Sequence, residues 1–212
     1  MSAAATVFVV DDDDSVRKGL ANLLHSAGYS TRLFNSGSEF LEYSRDEPGC
    51  VILDLRMPGT GGLELQEKLA AQACYPPIIF LSGHGDVPST AKALKLGAMD
   101  FLEKPVDAEI LLAAVKDALN VDRENRLQYS QLVEVQVRLE KLTTREFEVL
   151  RHVIAGRLNK QIASSLDISE KTVKTHRGRV MEKMKAQSVA ELIRFADKAG
   201  VRPVDSPAPK AQ

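Results

Sequence analysis

An α/β fold is predicted for the first part of this chain: a doubly wound five-stranded parallel sheet, followed by a small all-α helix-turn-helix domain. Three observations carry the prediction. Short β-rich runs alternate with amphipathic segments as far as residue 122, the pattern that builds a parallel sheet with helices on both faces. Residues 1–122 hold 10 Lys and Arg against 18 Asp and Glu, whereas residues 141–200 hold 13 against 7. An acidic half joined to a basic half points to two domains, the second meeting a polyanion. The basic half also reads as a short helix, a tight turn and a longer helix, the grammar of a helix-turn-helix.

The β-rich runs are 7–10, 30–34, 51–53, 78–81 and 99–102. Residues 15–27 place Val16, Leu20, Leu23 and Leu24 at helical spacing. Ser36 and Glu39 fit a capping box that opens the next helix. Residues 62–73 and 87–96 predict two more, with Gly97 as the C-cap of the latter. A fifth begins near Asp107, a suitable N-cap. Ligands of such sheets sit beyond the carboxyl ends of the strands.

The 212 residues suffice for two cores. No apolar stretch approaches the roughly 18 residues that span a membrane, so no membrane partner is expected. Residues 1–6 show no basic region followed by a long apolar one, as a secretory leader would. Cys50 and Cys74 form no metal-ligand spacing. Cys50 falls in a core strand, where a thiol acts as a small hydrophobe. Reduced cysteines and a cytoplasmic location are expected.

Chemistry concentrates at the strand ends. Asp11 and Asp12 follow the first strand and Asp54 ends the third. Ser82 follows the fourth, within Leu81-Ser82-Gly83-His84-Gly85, and Lys104-Pro105 follows the fifth. A parallel sheet brings these ends to one edge. Such a gathering of charge costs free energy unless a cation or a reaction needs it. Carboxylates without histidine or thiol partners suit Mg²⁺, and a carboxylate can accept a phosphoryl group as nucleophile. Lys104 and Ser82 could then contact the transferring oxygens. Taken singly, each has an ordinary explanation. Asp13 and Asp14 are read as solvated acids at a helix N-terminus, and His84 as a loop histidine. The conjunction persuades, because each residue falls at the same point of its own βα unit.

Residues 5–122 resemble a response-regulator receiver domain, of flavodoxin-like fold. The resemblance rests on Val9-Val10-Asp11-Asp12, Asp54-Leu55-Arg56-Met57-Pro58-Gly59, Ser82-Gly83-His84-Gly85-Asp86 and Glu103-Lys104-Pro105. It implies that Asp54 is the phospho-acceptor. It implies that Asp11, Asp12, Asp54 and the Arg56 backbone carbonyl hold Mg²⁺. Ser82, Phe101 and Lys104 would be the phosphate-contacting and switch residues. Thr60 and Gly61 depart from the commoner Met and Asp or Ser after Pro-Gly. Ser82 stands where many members have Thr, and Phe101 lacks a tyrosine's hydroxyl. None of these removes a catalytic group.

From residue 106 to 155 there is neither Gly nor Pro. Leu111, Ala114, Ala118, Val121, Asn125, Gln128, Leu132, Val135, Leu139 and Leu142 recur at alternating intervals of three and four, a heptad pattern with polar breaks. Two readings stay open. The first part packs on the receiver and the rest is a separate amphipathic linker; or one extended helix contributes a dimer seam, with Asn125 setting register.

Thr143 and Glu146 predict a capping box, and Phe147, Leu150, Val153 and Ile154 give the helix behind it an apolar face. Residues 159–166 form a short helix, Asp167-Ile168 a turn, and Ser169 an N-cap for a helix to about residue 185. In that helix Val173, Val180 and Met184 face the core. Lys171, Thr172, Lys174, Thr175, Arg177 and Lys183 are left as polar residues able to meet phosphates and base edges. Residues 188–198 form a fourth helix. Gly178 costs roughly 1 kcal/mol against Ala in a helix interior; close approach to DNA and an incidental glycine are both open. Residues 141–200 resemble the LuxR-type DNA-binding domain. The resemblance is carried by Leu-Thr-Thr-Arg-Glu-Phe-Glu-Val-Leu, by Gly-Arg-Leu-Asn-Lys-Gln-Ile-Ala and by Ile-Ser-Glu-Lys-Thr-Val-Lys-Thr-His. Gln161 replaces a more usual Glu. The resemblance implies DNA contacts from Asn159, Lys160, Lys171, Lys174, Thr175 and Arg177. The tail from residue 201, with three prolines, is expected to be disordered.

The domains expected are a receiver at 1–122, a helical linker at 123–140, the DNA-binding domain at 141–200 and a tail at 201–212. Together they resemble the FixJ branch of the response regulators. That resemblance implies phosphorylation by a sensor histidine kinase, dimerisation, and binding to double-stranded promoter DNA beside RNA polymerase. No enzyme is expected beyond Mg²⁺-dependent phosphorylation and dephosphorylation of the receiver itself. An aspartyl-nucleophile phosphohydrolase is the enzymatic alternative, against which Arg56 stands where a general acid would be needed. A DNA-binding protein with a phosphorylation-independent receiver is the other.

Overall fold

The computed structural model describes residues 5–43, 47–72, 75–83 and 87–204; Cys74 and His84 lie outside them. The chain divides into two compact units, residues 1–127 and 128–212. In order, the elements of the first are β1 (Thr6–Val10), α1 (Asp14–Ser26), β2 (Ser30–Phe34), α2 (Gly37–Tyr43), β3 (Gly49–Asp54), α3 (Gly62–Ala70), β4 (Ile78–Ser82), α4 (Val87–Lys95) and β5 (Asp100–Glu103). Helix α5 (Ala108–Glu140) leaves the first unit and ends in the second, which adds α6 (Thr144–Ile154), α7 (Asn159–Leu166), α8 (Glu170–Met184) and α9 (Val189–Lys198). No helix among the described residues is long and apolar enough to cross a membrane.

The five strands are parallel, in the order β2-β1-β3-β4-β5. Every residue of β1, β3 and β4 is buried, as central strands covered on both faces require. Side chains alternate between the faces. Phe8, Val10, Val51, Leu53 and Phe80 join Phe40 of α2 and Leu65 of α3 in one core. Val7, Val9, Ile52, Ile79 and Leu81 join Leu20 and Leu24 of α1, and Leu111, Val115 and Ala118 of α5, in the other. Cys50 lies in the second core, where burial, with the nearby Asp122 charge, pushes its thiol up to about 12. Asp13 caps α1 by accepting from the Ser15 and Val16 amides at 2.8 and 3.3 Å. Asp107 caps α5 by accepting from Glu109 N and Ile110 N.

Three sequence expectations differ. The first unit extends past residue 122, because Asp122 is buried and belongs to it. Its Oδ2 accepts from Gly49 N at 2.9 Å, Arg126 Nε donates to its carboxylate, and Arg126 Nη2 donates to Glu47 O at 2.8 Å. The heptad positions do not form one free seam. Leu111 and Ala118 are inside the receiver, and Val135, Leu139 and Leu142 pack into the core of the second unit. The two ends of the repeat serve two separate cores, while Val121, Asn125, Gln128 and Leu132 between them join neither. Residues 201–204 also pack: Val201 joins the second core and Val204 N donates to Arg151 O at 3.3 Å. Residues 205–212 lie outside the described part.

The second unit's core gathers Val135, Val149, Leu150, Val153, Ile162, Val173, Val180, Met184 and Leu192. Val149 is fully buried in α6, whereas Phe147, which the sequence reading placed on its apolar face, is exposed. Glu146, Val149, Leu150 and Val153 form the buried line, and positions 147 and 154 fall at its margins.

Candidate functional site

The strand order sets the ends of β1, β3, β4 and β5 side by side. Asp11 and Asp54 are buried carboxylates there, and Ser82 is buried beside them in sequence register with Glu103. Lys104 joins the two acids. Its Nζ donates to Asp11 Oδ2 at 2.7 Å and to Asp54 Oδ1 at 2.6 Å. Its backbone N–H donates to Ser82 O at 2.9 Å, which fixes the lysine at the end of β4. Burial alone would lower the Lys104 pKa, but the bonds to Asp11 and Asp54 outweigh it and hold it above the ordinary lysine value. The ammonium therefore stays charged and offsets the buried carboxylates.

The other carboxylate oxygens are also held. Asp54 Oδ2 accepts from Arg56 N at 2.7 Å, and Asp11 Oδ1 from Asp13 N at 2.9 Å. Phe101 in β5 is half-buried and stacks on Phe80 of β4, with centroids 6.0 Å apart. Asp12 is exposed. Among the described residues, no three His, Cys, Asp or Glu side chains gather closely enough to hold a metal ion. Asp11 and Asp54 are instead drawn to Lys104. By chemistry the donors suit a hard divalent cation, since every candidate ligand is an oxygen.

Two residues here escaped the sequence reading. Arg17 of α1 donates from Nη1 to Asp11 O at 2.6 Å, clamping the turn after β1. Its position one turn past the cap Asp13 was the available signal. Gly62 opens α3 against the back of Asp54. A Cβ there would lie 2.4 Å from Asp54 O and 2.9 Å from Phe80 Cε1, so the close approach admits only glycine. The sequence marked Gly62 only as a helix start.

In the second unit, α7 ends at Asp167 with φ 51°, and Ser169 opens α8 by accepting from Thr172 N at 3.1 Å. Lys171, Lys174, Thr175, Gly178 and Arg179 are exposed on α8. Their spacing of three and four puts them on one side of the helix, away from Val173, Val180 and Met184. Lys160 is exposed on α7. Arg177 and Asn159 are half-buried, and Arg177 Nη1 donates to Asn159 Oδ1 at 2.8 Å, tying α7 to α8. Thr172 is half-buried, its hydroxyl 2.9 Å from Ser169 Oγ.

Lys183, expected among the DNA-contacting residues, has partners inside its own unit. Its Nζ donates to Glu146 Oε2 at 2.5 Å and to Lys141 O at 3.0 Å. Glu146 is buried, completes the capping box with Thr143, and is held below the usual carboxylate range chiefly by Lys183. The Lys183 charge is spent inside the domain. Arg179, which the sequence reading passed over, is the exposed cation instead.

A carboxylate cluster at the carboxyl edge of a parallel sheet, followed along the chain by a basic helix-turn-helix, defines a two-domain regulator. Residues 7–116 match the response regulator receiver domain, and residues 140–196 match the luxR family of bacterial regulatory proteins. The chain belongs to the response regulators that join a receiver to a LuxR-type DNA-binding domain. It is 44% identical to the transcriptional regulatory protein FixJ of Azorhizobium caulinodans over 210 residues, covering 99% of this chain and 100% of that one. It is 43% identical to the response regulator protein TodT of Pseudomonas putida over 196 residues, or 92% of this chain and 86% of the relative. Among solved structures, the response regulator StyR superposes with a TM-score of 0.80 at 46% identity, covering 92% of this chain and 100% of that one.

Proposed function

We propose that Asp54 accepts a phosphoryl group from a sensor histidine kinase, and that the modification drives a homodimer onto promoter DNA beside RNA polymerase in the cytoplasm. The observation that carries this reading is Lys104 Nζ bridging Asp11 Oδ2 and Asp54 Oδ1 at 2.7 and 2.6 Å. A buried nucleophile with a fixed ammonium at its oxygen is set up to bind a dianionic group.

One Asp54 carboxylate oxygen attacks phosphorus. The new O–P bond forms as the P–N bond to the donor's imidazole breaks, and the imidazole nitrogen keeps the electron pair and takes a proton. Asp11, Asp12, Asp54 and the Arg56 carbonyl would hold Mg²⁺, which supplies charge neutralisation at the phosphoryl oxygens. Lys104 pairs with a phosphoryl oxygen, and the Ser82 hydroxyl donates to another. The added charge, about −1.5 to −2 by analogy with other phosphorylated side chains, draws both toward Asp54. Phe101 then repacks against Phe80, changing the face that a second copy meets.

Lys171, Lys174 and Thr175 meet the duplex from the front of α8, with Lys160 at the phosphates. Thr172, Asn159 and Arg177 stand at the flank, where Arg177 and Asn159 orient each other. Incubating the full chain with Mg²⁺ and acetyl phosphate should add the mass of one phosphoryl group, and Asp54→Asn should add none. An Asp54→Asn chain that gains the same mass defeats the assignment.

A further inference from the structure

We propose that Gly178 is a point of close contact with the DNA duplex, where the backbone of α8 is approached because no side chain intervenes. This rests on the reading of α8 as the duplex-facing helix. Glycine is a poor helix former, since it loses the most backbone freedom on folding. Position 178 is interior to α8, which runs from Glu170 to Met184, so the glycine weakens its own helix.

Nothing among the described residues asks for it. The position is exposed, and a Cβ there would meet no atom within 4 Å. Its φ is not positive, unlike that of Gly156 at 75°. It also differs from Gly62, where a side chain would strike Asp54 O. A requirement for a bare backbone at 178 would thus come from a partner outside the chain.

The surroundings say what that is. Gly178 follows Lys174 and Thr175 by one turn and Lys171 by two, and Arg179 stands next to it. All four are exposed, and between Glu170 in the first turn and Glu182, one turn past Gly178, no acid interrupts the face. A polyanion drawn to those cations meets the α8 backbone at 178. A duplex groove has walls close enough that one added methyl group shifts the helix outward and lengthens the neighbouring charge-assisted bonds.

Replacing Gly178 with Ala or Leu separates this from an incidental glycine, because both are better helix formers. The test selects a duplex from a random pool with the full wild-type chain, in the presence of Mg²⁺ and acetyl phosphate. Affinity for that duplex and amide exchange across α8 are then measured for each variant. Gly178→Ala should slow exchange of the α8 amides about fivefold and weaken duplex binding on the order of tenfold, with a larger loss for Gly178→Leu. Variants that bind as tightly as wild type, or more tightly, overturn the proposal and leave the duplex-facing reading of α8 intact. A wild-type chain that selects no duplex, or a Lys174→Ala chain that binds as well as wild type, overturns that reading and the proposal with it. Faster α8 exchange in Gly178→Ala overturns the premise that the position is open.

Discussion

Replacing Lys183 by Met should destabilise the second unit without reducing the electrostatic part of DNA binding. Lys183 Nζ makes one charge-assisted bond, to the buried Glu146, and one bond to Lys141 O. Hydrogen bonds to charged groups contribute roughly 1.5–3 kcal/mol, and stranding a buried charge costs more. Glu146 would still accept from the Thr143 amide at 2.9 Å, and the Lys183 side chain is one-third exposed. The loss should therefore sit near the lower end, about 1.5–2 kcal/mol. Glu146→Gln should cost a similar amount. The double variant should cost less than the sum, with a coupling of roughly 1 kcal/mol.

The pair also sets a pH dependence. Glu146 in the folded protein titrates below its unfolded value, which is about 4.3. In the window between the two, the unfolded chain binds more protons, so stability rises with pH. The contribution is complete above the unfolded value and disappears as pH falls through the folded one. In Lys183→Met the folded value moves up toward the unfolded one, so that acid loss should be smaller. Hydrogen exchange of α6 and α8 peptides in the full chain reads both effects. Duplex affinity against salt concentration reads the other arm. Each phosphate-contacting cation contributes about 0.9 to the logarithmic salt slope, so Lys171→Ala should reduce it and Lys183→Met should not. A Lys183→Met chain with wild-type exchange and a slope smaller by one contact would refute the assignment.

Two further outcomes follow from packing. Gly62→Ala forces Asp54 O or the start of α3 to move, and displacements near 1 Å at a reacting centre cost up to about a hundredfold in rate. Phosphorylation from acetyl phosphate, followed by intact mass, should slow at least tenfold, and an unchanged rate would contradict the close approach. Val135→Asp buries a charge in the second core at a cost of roughly 3–5 kcal/mol, so α6–α8 exchange protection should collapse while the receiver still takes up phosphoryl. Retained protection with altered self-association alone would favour a seam along α5.

The sheet and its edge were legible because their signals are local. Central strands read as unbroken apolar runs, and each chemical residue directly follows its own strand. Caps at Asp107, Thr143 and Ser169 were equally plain, since the acceptor and the amides it serves lie within three residues. Long-range commitments were not legible. A basic residue on a basic helix looks the same whether it faces solvent or a buried acid, and only folding brings Lys183 to Glu146. The α5 repeat left two readings open for a related reason. A three-and-four spacing records burial on one side of a helix, but not whether a single partner covers its whole length.

Strand β3 deserves a mechanical description. Its last residue is Asp54, and the amide of its first, Gly49, is fastened to Asp122 near the middle of α5. The strand's six residues are all buried, so it is a short strut fixed at its far end. A pull on Asp54 is resisted along that axis. The compliant side of the site lies across the sheet toward β5, whose residues are only partly buried. A displacement started at Asp54 would be taken up more easily toward β5, where Phe101 stands.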